Sequence, residues 1–208
     1  MEANEIINEL IKLYPNARCE LNHQTPFQLA CAVMLSAQTT DARVNLVTVE
    51  LFEKYPDVEH MKNAEYADVA KIIKSIGLYR NKAANLIKMA NEVAERHQGI
   101  LPSKRKDLEN LSGIGRKSAN VILSESFHIP NIAVDTHVNR ISKRLKLAKE
   151  NDSLIQVETK LKRKIKRENW IYAHHLFIFF GRYKCFAKRP NCTDCPFTSF
   201  CRYYNQQK

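Results

Sequence analysis

The chain has 208 residues, 44% of them hydrophobic, enough for one large core or two small ones. No apolar run reaches the ~18 residues of a membrane-spanning helix. The acidic, amphipathic start MEANEIINELIKLYP lacks the basic and apolar regions of a secretory signal, so the chain reads as a cytoplasmic, intracellular protein without a membrane partner. Lys and Arg outnumber Asp and Glu by 33 to 22, a formal net charge of +11. That excess points to a polyanion such as nucleic acid, with an indifferent basic surface as the alternative.

The elements read as helix after helix. Ile6, Ile7, Leu10, Leu13 and Tyr14 lie at helical spacing over 5–14. Residues 26–36 are almost wholly apolar, which predicts a central helix rather than a surface one. Thr40 or Asp41 is placed to N-cap a helix running to about Tyr55, with Pro56 beyond it. Helices follow over 65–75 and 80–97, separated by Ile76-Gly77-Leu78, and Gly99 and Pro102 then break the chain. Short helices over 104–111 and 116–127 flank a Gly-x-Gly turn, and 134–147, 153–167 and 170–183 complete the set. No alternating β-branched run and no Asn-Gly turn occurs, so the fold class is all-α. No linker marks a domain boundary.

Four of the six cysteines, Cys185, Cys192, Cys195 and Cys201, are spaced Cys-x6-Cys-x2-Cys-x5-Cys near the end of the chain. Without an export signal, clustered thiols point to a metal centre rather than to disulfides. Four soft thiolates suit an iron–sulfur cluster or zinc; structural zinc more often uses two close Cys-x2-Cys knuckles, and here there is one. Cys31 sits in the apolar stretch LACAVMLSA as a core thiol, and Cys19 has no evident partner.

Residues 108–120 form a second motif, LENLSGIGRKSAN. Leu108, Leu111 and Ile114 would anchor a turn, Gly113 and Gly115 permit positive φ or close backbone approach, and the next helix offers free N–H groups to a phosphate. Arg116 and Lys117 add charge there. The same stretch also reads as a plain αα-hairpin.

The pattern Leu-x-Gly-[Ile/Val]-Gly-x-Lys followed by Val134-Asp135-Thr136-His137-Val138 resembles the helix-hairpin-helix DNA glycosylases, and among them the endonuclease III family. The likeness runs along nearly the whole chain. It takes in Leu35-Ser36-Ala37-Gln38-Thr39-Thr40-Asp41, Ile76-Gly77-Leu78-Tyr79, Gly181-Arg182-Tyr183 and the four spaced cysteines.

The resemblance implies two helical domains flanking a DNA-binding cleft. One is a six-helix barrel over 22–132 with the hairpin at about 104–127; the other joins 1–21 to 133–208 and carries a [4Fe-4S] cluster on the 185–201 loop. It implies a monomer that removes oxidised pyrimidines from double-stranded DNA and cleaves the abasic site. By the same resemblance Lys117 is the nucleophile and Asp135 the catalytic carboxylate. Gln38 and Leu78 fill the hole left by a flipped nucleotide, with Ile76 nearby, and DNA contacts extend to Asp41, Gly113, Gly115 and Arg116. An attacking amine must be neutral, and Arg116 with the hairpin dipole is a candidate source of that activation.

Each residue also has a plainer reading. Lys117 would serve as a phosphate contact, Asp135 as a helix N-cap and Leu78 as a core leucine. His137, His174 and His175 are left outside the catalytic set. Ser112 stands where the family commonly has Pro, which predicts a slightly looser hairpin, and Ser118 replaces the usual Thr. Lys184, Lys188, Arg189 and Arg202 are expected to present charge to the DNA backbone.

The rival functions are a non-enzymatic DNA-binding or electron-transfer protein and a mismatch-specific thymine glycosylase. Adenine-mismatch glycosylases usually lack a lysine at the 117 position and carry a further C-terminal domain, so Lys117 and the short stretch after Cys201 favour a glycosylase with lyase activity.

Overall fold

The computed structural model describes residues 1–207. In chain order its helices are α1 (Ala3–Leu13), α2 (Pro26–Leu35), α3 (Asp41–Lys54), α4 (Val58–Lys62), α5 (Tyr66–Ile72), α6 (Tyr79–His97), α7 (Arg105–Glu109) and α8 (Arg116–Phe127). After these come α9 (Thr136–Arg144), α10 (Leu154–Lys164), a 3₁₀ turn (Arg167–Asn169), α11 (Trp170–Tyr183) and α12 (Arg202–Asn205). No strand occurs among the described residues, as the missing β-pattern requires. No described helix is long and apolar enough to cross a membrane.

Two helices escape the periodicity. Helix α4 is five residues long, too short for an amphipathic repeat, and is held by Asp57, whose carboxylate accepts the His60 N–H at 2.9 Å. Helix α12 is a single turn after the last cysteine. Helix α9 stops at Arg144, short of 147, because Lys146 turns into the left-handed region at φ 60° and the Leu147 N–H returns to the Ser142 carbonyl.

The chain forms two compact units, Glu20–His128 and the discontinuous Met1–Cys19 with Ile129–Lys208. The continuous unit is built on α2. Thr25 caps it, Pro26 occupies its first position, and every residue from Phe27 to Leu35 is buried, so it packs on α3, α6 and α8 at once. Cys31 is one of these buried residues, and burial pushes its thiol far up. Thr40 caps α3 as expected, its Oγ1 accepting from the Arg43 N–H.

The discontinuous unit explains the missing linker. Ile6, Ile7 and Leu10 of α1 are fully buried with Phe177 and Phe180 of α11 and Phe197 of the cysteine loop. The Tyr172 hydroxyl fastens the chain after α1 by donating to the Pro15 carbonyl at 2.7 Å. The start of the chain is thus core to its end. Ile132 is buried in this same core, which puts the boundary at His128 rather than at 132.

Candidate active site and metal centre

The hairpin between α7 and α8 is shaped by two constraints. Gly113 has φ +79°, which disfavours any side chain, and a Cβ there would stand 2.9 Å from Met34 Sδ and Cε, so the end of Met34 would have to yield as well. Leu108, Leu111 and Ile114 are buried and anchor the turn. Gly115 is the N-cap of α8, and no side chain caps the first turn of the helix. Arg116 and Lys117, the first two residues of α8, are exposed.

Ser112 does not loosen this hairpin. Its N–H and its hydroxyl donate to the two oxygens of Glu92 at 2.7 and 2.9 Å, and Glu92 is buried on α6. The expectation of a looser turn is corrected: an ion-assisted clamp replaces the stiffness of a proline.

Two further loops of this unit carry the residues expected to enter DNA. Gln38, after α2, is exposed with φ +56°. Leu78, the N-cap of α6, has φ +59° and is 58% exposed. A bulky non-glycine residue in the left-handed region is strained, and strain combined with an exposed leucine is the signature of a working surface rather than of a core position. The plainer reading of Leu78 as a core leucine is therefore excluded. Ile76 is the opposite case. It is 2% exposed, so its side chain belongs to the core and only its backbone remains for a partner. Asp41 opens α3 and is partly exposed.

Asp135 lies in the other unit as the N-cap of α9, its Oδ1 accepting the Val138 N–H at 2.7 Å. The capping role is real, and it occupies one carboxylate oxygen. His137 follows on α9 against Gly181 of α11, where a Cβ would meet His137 Nδ1 at 2.8 Å. Burial holds the His137 imidazole below its ordinary pKa; Asp135 opposes this, while Arg140 and Arg182 add to it. Gly181 therefore earns its place in Gly181-Arg182-Tyr183 by letting α9 and α11 touch.

The far end of α9 holds the cysteine loop. Arg140 donates to the carbonyls of Gly181 and Cys185 at 2.9 and 3.2 Å. Arg144 donates to Cys185 Sγ at 3.1 Å and to the Phe186 and Ala187 carbonyls at 2.7 and 3.0 Å, with its guanidinium 4.0 Å from the centre of the Tyr203 ring. Cys185, Cys192, Cys195 and Cys201 line one pocket together with Leu145, Phe180 and Phe197. Burial pushes the Cys185 and Cys195 thiols up, and the Arg144 hydrogen bond pulls Cys185 back down. Among the described residues no three His, Cys, Asp or Glu side chains are gathered as ligands of a single metal ion.

The four basic residues of this region do not act alike. Lys188 and Arg189 are exposed. Lys184 instead braces the loop by donating to the Thr193 carbonyl at 2.8 Å, and Arg202 pairs with Glu150 at 2.7 Å. Half of the expected charge is thus turned to internal work. A separate cavity of about 330 Å³, lined by Asn22, His23, Asn45 and Phe52 among others, contains none of the expected site residues.

A glycine hairpin opening a helix with an exposed lysine defines a helix-hairpin-helix protein. Residues 31–167 match the HhH-GPD superfamily of base excision DNA repair proteins, and the chain belongs to that family. It is 48% identical to endonuclease III of Bacillus subtilis (strain 168), over 94% of this chain and 90% of the relative. It is 41% identical to endonuclease III of Escherichia coli (strain K12), over 96% and 94%. A trapped endonuclease III–DNA covalent intermediate in an estranged-adenine complex superposes with TM-score 0.95 at 44% identity, over 100% of this chain and 99% of that one. A thermostable thymine-DNA glycosylase shares the fold at TM-score 0.88 with 21% identity, covering 98% of this chain and 97% of that one.

Proposed function

We propose that this protein is a base-excision-repair DNA glycosylase and abasic-site lyase of the endonuclease III type, acting as a cytoplasmic monomer on oxidised pyrimidines in duplex DNA. The observation that carries the proposal is Lys117, an exposed amine at the open N-terminus of α8 directly after the glycine hairpin. The hairpin and helix N–H groups bind a backbone phosphate, and the amine beside them reaches the sugar of an extrahelical nucleotide. The similarity to an endonuclease III trapped as a covalent DNA intermediate supports the same chemistry.

The Lys117 Nζ attacks C1′ as the bond from C1′ to the base breaks, and the base leaves with the bonding pair and takes up a proton. Opening of the sugar ring leaves an iminium between Nζ and C1′. Loss of a C2′ proton then expels the 3′ phosphate, and water hydrolyses the Schiff base to return the lysine. Because Lys117 is exposed, water leaves its amine only when DNA covers it. By likeness to the family, the Asp135 carboxylate, whose Oδ1 also caps α9, accepts the amine proton or offsets the positive charge on the sugar. Gln38 and Leu78 occupy the space of the displaced nucleotide.

The cysteine loop holds a [4Fe-4S] cluster. Four thiols facing one largely apolar pocket fit that group. Four thiolates with a single close Cys-x2-Cys pair suit an iron–sulfur cluster better than structural zinc, which more often uses two such pairs. When bound, the cluster cross-links the loop that presents Lys188 and Arg189.

The test is borohydride trapping on an abasic duplex. The wild-type protein is expected to form a covalent complex and Lys117→Gln none; a trapped Lys117→Gln complex overturns the assignment.

A further inference from the structure

We propose that Lys82 is a positioning residue that locks the Gln38 and Leu78 loops into one rigid wedge. The inference rests on the wedge reading given above and names the residue that holds the wedge in shape.

Lys82 is out of place by ordinary rules. It lies in the first turn of α6, where the helix dipole is repulsive to a cation, and it is 5% exposed. Its burial lowers its proton affinity, and among the described residues no carboxylate pairs with it to compensate. Its partners are instead the Leu35 and Ala37 carbonyls at 2.8 and 2.6 Å and the Thr39 hydroxyl at 3.2 Å. These lie at the C-terminal end of α2, where carbonyls lack helical partners and the dipole is negative. One ammonium therefore satisfies the loose end of α2 with all three of its donors.

The placement of those acceptors gives the arrangement its consequence. Ala37 and Thr39 flank Gln38, so the ammonium grips the chain on both sides of the residue held at φ +56°. The Leu78 carbonyl accepts the Lys82 N–H at 3.1 Å, the first helical bond of α6, so the Lys82 side chain is carried on the turn that Leu78 opens. The loops also abut directly, since a Cβ at Gly77 would lie 3.9 Å from the Gln38 carbonyl. The buried side chain thus ties the Gln38 loop to the helix turn that the strained Leu78 opens. Strain of this kind persists only where the surroundings over-determine it, and Lys82 supplies that determination. An ammonium is suited to the task, because an apolar residue of similar length would fill the volume but leave the carbonyls unpaired and the Gln38 loop free to relax against α6.

The test uses the full chain and thymine glycol duplexes of two kinds. In one the lesion faces adenine, so a wedge must hold an estranged base; in the other it faces a tetrahydrofuran abasic analogue, so no base needs holding. Single-turnover excision is measured for wild type, Lys82→Met, Lys82→Arg, Thr39→Val and Leu78→Ala. Lys82→Met is expected to lose about 10–100-fold on the adenine duplex, the scale of a misplaced positioning contact, and far less on the analogue duplex. Lys82→Arg should recover most of the loss, and Thr39→Val, which removes one acceptor, should show a smaller loss of the same selectivity. Equal losses on both duplexes, or none, in a variant with native thermal stability would overturn the proposal. If Lys82→Met does not fold, Thr39→Val decides on the same criterion. Leu78→Ala separates the two levels: if it shows no opposing-base dependence, the wedge reading itself falls, and if it does while Lys82→Met does not, only the role of Lys82 falls.

Discussion

Glu92 accepts both hydrogen bonds that Ser112 can donate, at 2.7 Å from its N–H and 2.9 Å from its hydroxyl, and so ties the long helix α6 to the turn that precedes Lys117. A proline at 112 offers neither donor, and it would leave a buried carboxylate short of partners. Ser112→Pro is therefore expected to destabilise the protein by about 1–3 kcal/mol, the cost of an unsatisfied buried polar group. Ser112→Pro with Glu92→Leu should recover much of that loss, because the stranded carboxylate is gone. Urea melts of the four proteins close the cycle; a neutral Ser112→Pro would show that the clamp contributes nothing.

One substitution separates the capping role of Asp135 from its proposed catalytic role. Asparagine caps helices about as well as aspartate, so Asp135→Asn should keep the bond to the Val138 N–H and change the melting temperature little. The proposed chemistry needs the charge, so excision should fall by about 10²–10⁴-fold while DNA affinity is kept. Full turnover by Asp135→Asn would leave the cap as the only role.

The two kinds of basic residue near the cysteines predict different salt behaviour. Lys188→Ala and Arg189→Ala should each reduce the slope of log affinity against log salt by about 0.9 if each contacts one phosphate of the duplex. Lys184→Ala should instead weaken the loop, because its amine holds the Thr193 carbonyl. Identical salt slopes for all three variants would remove the distinction.

Removing one cysteine tests the metal centre. Cys192→Ser should lose iron, sulfide and visible absorption together, and should melt earlier because the loop loses its cross-link. Full iron content and an unchanged spectrum in that variant would exclude Cys192 as a ligand.

His137 predicts an acid limb in stability. Its folded pKa is lowered, chiefly by burial, so the unfolded chain binds the proton more tightly. Its contribution is intact above the unfolded value of ~6.5 and is lost as the pH falls from there through the folded value. His137→Gln cannot titrate and should flatten that part of a melting-temperature profile. A limb of unchanged depth would assign the titration elsewhere.

What could be read without coordinates was local. The apolar run of α2, the caps at Thr40 and Asp135 and the spacing of the four cysteines each depend on residues a few positions apart, where helical and loop geometry translate directly into sequence pattern. The hairpin was legible for the same reason, since Gly113 at φ +79° needs a glycine, whereas Gly115 at φ −97° has open space around it. Helix α4 was not, because five residues carry too little periodicity to stand out from a loop.

Other features exist only through partners far away in the chain. Lys82 reads as one more surface lysine until Leu35, 47 positions earlier, is found to receive its ammonium. Ser112 reads as a weakened proline until Glu92 is brought beneath it, and Lys184 reads as a DNA contact until its amine turns back into the loop. Leu78 and Ile76 have the same chemistry and stand two residues apart, yet one is exposed under strain and the other is sealed in the core. Fold class and the chemistry on offer follow from short segments, because hydrophobic period and ligand type are local properties. Tertiary structure alone decided which charges face outward and which are spent inside, because that depends on which groups folding places within hydrogen-bond reach.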